Sequence, residues 1–151
     1  MKKNNRMLPN TRMMQFRDIG DSKLGHLTPL EADGDIPFPI HRVYYITRVP
    51  RDVTRGFHSH RQLEQVLICL HGSVKIRIKT PFEEQIVELN DPAEGLFIGH
   101  MIWREMFDFS DDAVLMVLAS EHYSELDYIR RYEDYEAEAI PYFQSKIEMR
   151  E

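Results

Sequence analysis

Between Arg42 and Ala119 the chain is a succession of short β-type segments, each closed by turn chemistry, with no helical periodicity between them. Arg42-Val43-Tyr44-Tyr45-Ile46-Thr47 is rich in β-branched and aromatic residues. Glu64 to Leu70 is a continuous apolar strand. His71-Gly72 turns it into Ser73 to Lys79, which alternates strictly and puts Val74, Ile76 and Ile78 on one inner face. Gln85–Leu89, Gly95–Gly99, Met101–Trp103, Phe107–Phe109 and Ala113–Ala119 follow, separated by Asn90-Asp91-Pro92 and Ser110-Asp111-Asp112. Closely spaced short strands without crossover helices predict an all-β sandwich or barrel. The pattern changes at Ser124. Ser124 with Asp127 resembles a capping box, and Leu126, Ile129 and Tyr132 recur near helical spacing. These predict a C-terminal helix on the outside.

At 151 residues one domain is expected. Residues 1–14 are polar and Met-rich and read as a flexible N-terminal segment, leaving 15–151 as the folded unit. The net charge of -6, with no basic stripe, argues against nucleic acid as a partner. Met1-Lys2-Lys3 is followed by no apolar stretch of signal-peptide length, and no run of about 18 apolar residues occurs anywhere. A cytoplasmic protein with no membrane association is expected. The single cysteine, Cys69, lies inside Val66-Leu67-Ile68-Cys69-Leu70 and reads as a small buried hydrophobe.

The chemistry concentrates in Arg55-Gly56-Phe57-His58-Ser59-His60. Two histidines two apart on an extended strand share a face, so their imidazoles converge. That suits a metal site, or a pair of proton-transfer groups titrating near neutrality. Adjacent Tyr44 and Tyr45 face opposite ways, so one can enter a cavity with its hydroxyl. Arg42, Arg55 and Arg104 could complement a diphosphate. Glu64 is expected as a buried or rim carboxylate that orients a partner.

The spacing His58-x-His60-x3-Glu64-x7-Gly72 resembles the first conserved motif of the cupin superfamily, whose usual form has a six-residue gap before the glycine. In metal-binding cupins both histidines and the glutamate are ligands, and a fourth histidine comes from a second motif. Here Arg104 stands where that histidine is expected. A guanidinium cannot ligate a divalent cation and repels one. No metal is therefore expected, with His100 the substitute ligand if one is present. The pair could also be hydrogen-bonded barrel histidines without chemistry. General acid/base work fits better, because imidazole exchanges protons near pH 7 and a neighbouring arginine keeps it neutral.

A closer resemblance runs from about Asp21 to Tyr135. Ile36-Pro37-Phe38, Arg42–Ile46, Arg55–His60, Leu63–Leu67, Trp103-Arg104-Glu105-Met106, Leu118-Ala119-Ser120 and Tyr128-Ile129-Arg130 are similar to the sugar 3,4-ketoisomerases of the cupin superfamily. The resemblance implies a cupin jelly-roll barrel with a short C-terminal helix. It implies a homodimer in which N-terminal strands cross between subunits, and no cofactor. The implied activity moves the carbonyl of dTDP-4-keto-6-deoxyglucose from C4 to C3, feeding amino-deoxysugars of surface glycans. Catalytic roles carry over to His58, His60 and Tyr44. Arg104 falls at a position associated with the configuration left at C4. Substrate binding is expected of Arg42, Arg55, Arg104, Glu64 and Lys23, the last in Asp21-Ser22-Lys23-Leu24-Gly25, which has one residue more than the usual pattern. The rival readings are a metal-dependent cupin oxygenase or isomerase, a metal-free nucleotide-sugar epimerase and a non-catalytic sugar-binding cupin.

Overall fold

A computed structural model of the chain describes residues 6–148. Its strands are β1 (Thr11–Gln15), β2 (Ile19–Asp21), β3 (Gly25–Leu27), β4 (Arg42–Thr47), β5 (Arg55–His60), β6 (Gln65–His71), β7 (Val74–Lys79), β8 (Glu84–Leu89), β9 (Glu94–Ile98), β10 (Trp103–Phe107), β11 (Val114–Ala119) and β12 (Tyr128–Ile129). A 17-residue helix, α1 (Tyr132–Glu148), closes the described chain. Two five-stranded antiparallel sheets face each other, in the orders β1-β9-β6-β11-β4 and β12-β5-β10-β7-β8, and β2 and β3 form a separate hairpin. This is the jelly-roll architecture expected from the strand pattern.

The core follows from period-two alternation. Val74, Ile76 and Ile78 of β7 are fully buried and meet Leu67 and Cys69 of β6, Leu96 and Ile98 of β9, and Leu115 and Val117 of β11. The intervening residues of β6, Val66 and Ile68, point the other way. They form a second cluster with Phe16, Ile36 and Phe38 from the N-terminal excursion, which covers part of the outer sheet face. Burying one such side chain contributes roughly 1.5–3 kcal/mol. Cys69 is buried, as its apolar context predicts.

Two expectations are corrected here. Residues 1–5 lie outside the described residues, but much of the rest of the segment expected to be flexible is structured. Leu8 is buried, and Thr11–Gln15 pairs with β9 in register Thr11 to Ile98 through Gln15 to Glu94. A row of β9 backbone groups needs a partner, and that requirement is invisible in the polar composition of the segment. At the other end, the Ser124 side chain makes no capping hydrogen bond. Glu125–Asp127 is a 3-10 turn and Tyr128–Ile129 joins β5 as an edge strand, so the helix starts only at Tyr132. Its buried stripe is Tyr135, Ala139 and Phe143, spaced by four. The Tyr135 hydroxyl, 2.8 Å from the Met101 carbonyl, docks that stripe beside Trp103. Among the described residues no helix is long and apolar enough to cross a membrane.

Candidate active site

A β-bulge in β5 aims the histidines. Arg104 of β10 pairs with His58 while Glu105 pairs with Gly56, so Phe57 is an extra residue. Gly56 has φ +98° and Phe57 φ 54°, both left-handed. A Cβ on Gly56 would lie 2.9 Å from the Arg104 carbonyl oxygen, so glycine is needed for both the angle and the close approach. Phenylalanine in this region is strained, a cost the surrounding pairing sustains. Beyond the bulge the His58 and His60 rings meet edge to face, with centroids 4.9 Å apart.

Arg104 lies at the centre and is 1 % exposed. Its Nη1 donates to Oε1 of Gln65 at 2.6 Å and its Nη2 to the Ile102 carbonyl at 3.0 Å. Gln65 in turn donates from Nε2 to the Tyr44 hydroxyl at 3.2 Å. A buried amide therefore couples the cation of one sheet to a tyrosine of the other. Desolvation lowers the Arg104 pKa to about 10, and the guanidinium stays charged at neutrality.

Beside these residues opens a cavity of about 450 Å³, with walls that include Arg42, Tyr44, Arg55, His58, Tyr128 and Arg130. The Arg42 guanidinium lies over the Tyr44 ring at 4.8 Å, and Arg130 over Tyr128 at 4.1 Å. Glu125 holds Arg130 through two oxygens, at 2.6 and 2.8 Å. Tyr128 packs on both imidazoles, 5.0 Å from His58 and 4.2 Å from His60. His60 is 1 % exposed and lies beneath the wall; its Nδ1 faces Oδ2 of Asp127 at 3.2 Å.

Burial lowers the His58 pKa to about 4, reinforced by the charges of Arg104 and Arg130 and opposed by the Gly56 carbonyl and Glu125. His60 is pushed down further by burial and by Arg104, His58, Arg42 and Arg130. Both imidazoles are neutral at pH 7. The His60–Asp127 contact is thus a hydrogen bond from a neutral ring, not an ion pair. A neutral, half-buried His58 beside a buried cation has the chemistry to accept a proton next to a group able to stabilise negative charge. Among the described residues no three His, Cys, Asp or Glu side chains converge to hold a metal.

A family model described as "FdtA: WxcM-like, C-terminal" matches residues 9–139. The chain belongs to this family. It is 46% identical over 124 residues to the TDP-4-oxo-6-deoxy-alpha-D-glucose-3,4-oxoisomerase of Aneurinibacillus thermoaerophilus, covering 82% of this chain and 88% of that one. The crystal structure of QdtA, a sugar 3,4-ketoisomerase of Thermoanaerobacterium thermosaccharolyticum in complex with TDP, is 62% identical. It superposes with a TM-score of 0.89 over 91% of this chain and 99% of its own. A histidine-to-asparagine mutant of the same enzyme, in complex with TDP-4-keto-6-deoxyglucose, matches at a TM-score of 0.86 and 62% identity over 88% of this chain and 96% of that one.

In this FdtA-family chain the fold brings together most of the side chains the sequence singles out. His58, Tyr44, Arg42 and Arg55 line one cavity, while His60 and Arg104 are buried behind it, His60 against the His58 ring and Arg104 paired with His58 across β5 and β10. Tyr45 turns outward and is 71% exposed. Trp103 faces away from the cavity, its ring edge-on to Tyr132 at 5.1 Å, as a packing residue. Two expected members are not at the cavity. Glu64 precedes β6 and offers its backbone to Ser120, while its neighbour Gln65 takes the inward position. Lys23 lies in the exposed turn between β2 and β3, where its amide donates to Asp21.

The sequence does carry a signal for Gln65. Counting the usual six-residue gap back from Gly72 lands on 65, not 64. Tyr128 and Arg130 fall in a segment of the family resemblance, but its spacing fits the first turn of a helix and gives no sign that their side chains reach the cavity.

Proposed function

We propose that the chain is a nucleotide-sugar 3,4-ketoisomerase acting on dTDP-4-keto-6-deoxyglucose. The observation that carries this is the neutral His58 at the cavity wall above the buried Arg104 cation, in a family whose named relatives are 3,4-oxoisomerases. In a 4-ketosugar the C4 carbonyl acidifies the C3 hydrogen. His58 removes that proton, and the electron pair forms the C3–C4 double bond of an enediolate. Arg104 stabilises the charge on oxygen through its field. The hydroxyl proton passes from the C3 oxygen to the C4 oxygen, the electron pair it leaves forms the C3 carbonyl, and the C3–C4 double-bond pair takes up a proton at C4. The product carries its carbonyl at C3. His60 and Tyr44 move the oxygen-bound proton. Arg42, Arg55 and Arg130 supply positive charge for the diphosphate against the net -6 of the chain. Each step requires only a base, an acid and an oxyanion partner, so neither metal nor organic cofactor is required.

A homodimer in the cytoplasm completes the reading. Ile19, Leu24 and Leu27 of the hairpin are 54%, 91% and 61% exposed, and Val43 and Tyr45 stand out from β4. Apolar surface on a projecting hairpin favours a second copy as its cover. Crossing N-terminal strands would carry Lys23 and Leu24 toward the partner. With Arg104 at the C4 position, the expected product is gluco-configured dTDP-3-keto-6-deoxyglucose, a precursor for amino-deoxysugars of surface glycans.

The test is incubation with dTDP-4-keto-6-deoxyglucose in deuterated water, followed by NMR. Movement of the carbonyl to C3, with the C4–C5 proton coupling of the gluco isomer in residual protonated product, is expected. A C4 ketone that persists while C3 or C5 inverts would make the protein an epimerase.

A further inference from the structure

His60 is held by a carboxylate that the reaction scheme above does not use. Asp127 Oδ1 accepts the Gln62 amide at 2.7 Å, and Oδ2 accepts the Leu63 amide at 3.1 Å. The remaining contact of Oδ2 is His60 Nδ1 at 3.2 Å. Both Asp127 oxygens are thus turned to N–H donors, and the carboxylate stands here as the accepting partner. The group facing it must donate. In a neutral imidazole only one nitrogen carries a hydrogen, so Nδ1 carries it and Nε2 is the lone pair. Nε2 is buried without a partner among the described residues.

The surrounding chain is arranged to keep Asp127 in place. Arg61, next to His60, donates from Nη1 to the carbonyls of Leu126 at 2.8 Å and Tyr128 at 3.3 Å, on either side of Asp127. Its other nitrogens grip both Glu138 oxygens at 2.8 Å, which ties the strap to α1. The Arg61 amide donates to the Asp127 carbonyl at 3.1 Å, and Tyr128 pairs with His60 across β12 and β5.

We infer that Asp127 is a positioning residue that fixes His60 as its Nδ1–H tautomer and leaves Nε2 as the nitrogen that accepts a proton during turnover. Asp127 does not line the cavity. It acts through His60 by setting which ring nitrogen is free and by favouring the imidazolium once the proton arrives. Only the turnover part of this rests on the ketoisomerase reading.

The experiment is long-range proton–nitrogen NMR on the imidazole-labelled, substrate-free protein at pH 7. His60 is expected as Nδ1–H. A dominant Nε2–H form would overturn the proposal whether or not the protein isomerises any sugar. In Asp127→Ala, His60 is expected to move toward Nε2–H while His58 keeps its signals. With dTDP-4-keto-6-deoxyglucose kcat is expected to fall about 10- to 100-fold, with KM little changed. A role confined to holding the turn at 61–63 would lower Tm yet leave the His60 tautomer and kcat unmoved, and that result would also overturn it. If Asp127→Ala does not fold, the tautomer of the unaltered protein still decides.

Discussion

Strands β5 and β7 belong to the same sheet, both in contact with β10, and they use their inward positions in opposite ways. Strand β7 is regular. Val74, Ile76 and Ile78 are 0% exposed, and every residue from Val74 to Lys79 has a partner on β8. Strand β5 is broken by a bulge, holds two left-handed residues, and turns His58 and His60 toward a buried arginine. Buried Nε2 of His60, Nε of Arg104 and Oγ of Ser59 have no partner among the described residues. One strand gains free energy from burial. The other spends some of it keeping polar groups out of water, where their interactions with one another and with a ligand are strongest. Stability and chemistry are thus separated across a single intervening strand.

The sharpest way to break this comparison is to remove the base. His58→Asn is expected to lower kcat by about 10²- to 10⁴-fold while circular dichroism and Tm stay near those of the parent. Near-full activity in that variant would make His58 structural, and β5 would then resemble β7 in role. The converse is Ile76→Ala. It should cost about 2–5 kcal/mol in urea unfolding and leave kcat of the folded fraction unchanged. A large loss of kcat with little loss of stability would show that the apolar strand also shapes the site.

Acid sharpens the contrast further. The folded pKa of His58 is about 4, against 6.5 ordinarily. Between those values the unfolded chain binds a proton that the folded chain does not, so stability falls as pH drops through that window. The loss from His58 is about 3 kcal/mol by pH 4, to which His60 adds in the same direction. The isomerase rate should stay flat from pH 8 to about 5 and fall near 4 as the base protonates. Urea curves at pH 7 and 4.5 check the first part: His58→Asn should show the shallower dependence, and equal slopes would mean that His58 titrates normally. The smallest effect is expected for Gly56→Ala. The added Cβ meets the Arg104 carbonyl oxygen, and the residue must keep φ near +98°. A destabilisation of about 1–3 kcal/mol is expected, with kcat reduced as the bulge shifts the histidines. Unchanged kcat and stability would show that the bulge does not aim them.

Legibility in the sequence divides along the same line. Strand β7 is readable because alternation is a local property. The composition of β4 marks its observed limits, and parity alone puts Tyr44 and Tyr45 on opposite faces. His58 and His60 are readable as a same-face pair for the same reason. Glu64 is misplaced by its motif because a variable gap does not set inward parity, whereas the backbone of β6 turns Gln65 in and Glu64 out of the cavity. The segment after Ser124 misleads because its spacing fits a helix as well as an edge strand. Only the open edge of β5 chooses between them, by offering Tyr128 and Ile129 a row of backbone partners.

What the sequence by itself determined was therefore the all-β class, the inward face of each regular strand and the residue types available for proton transfer. The tertiary structure decided which of them meet. Gln65 reaches Arg104 across 39 positions, and Asp127 reaches His60 across 67. The physical reason is range. Side-chain periodicity is set by the backbone over a few residues, but a contact across the barrel depends on which strands pair and in what register. That outcome is settled by burying the whole core at once.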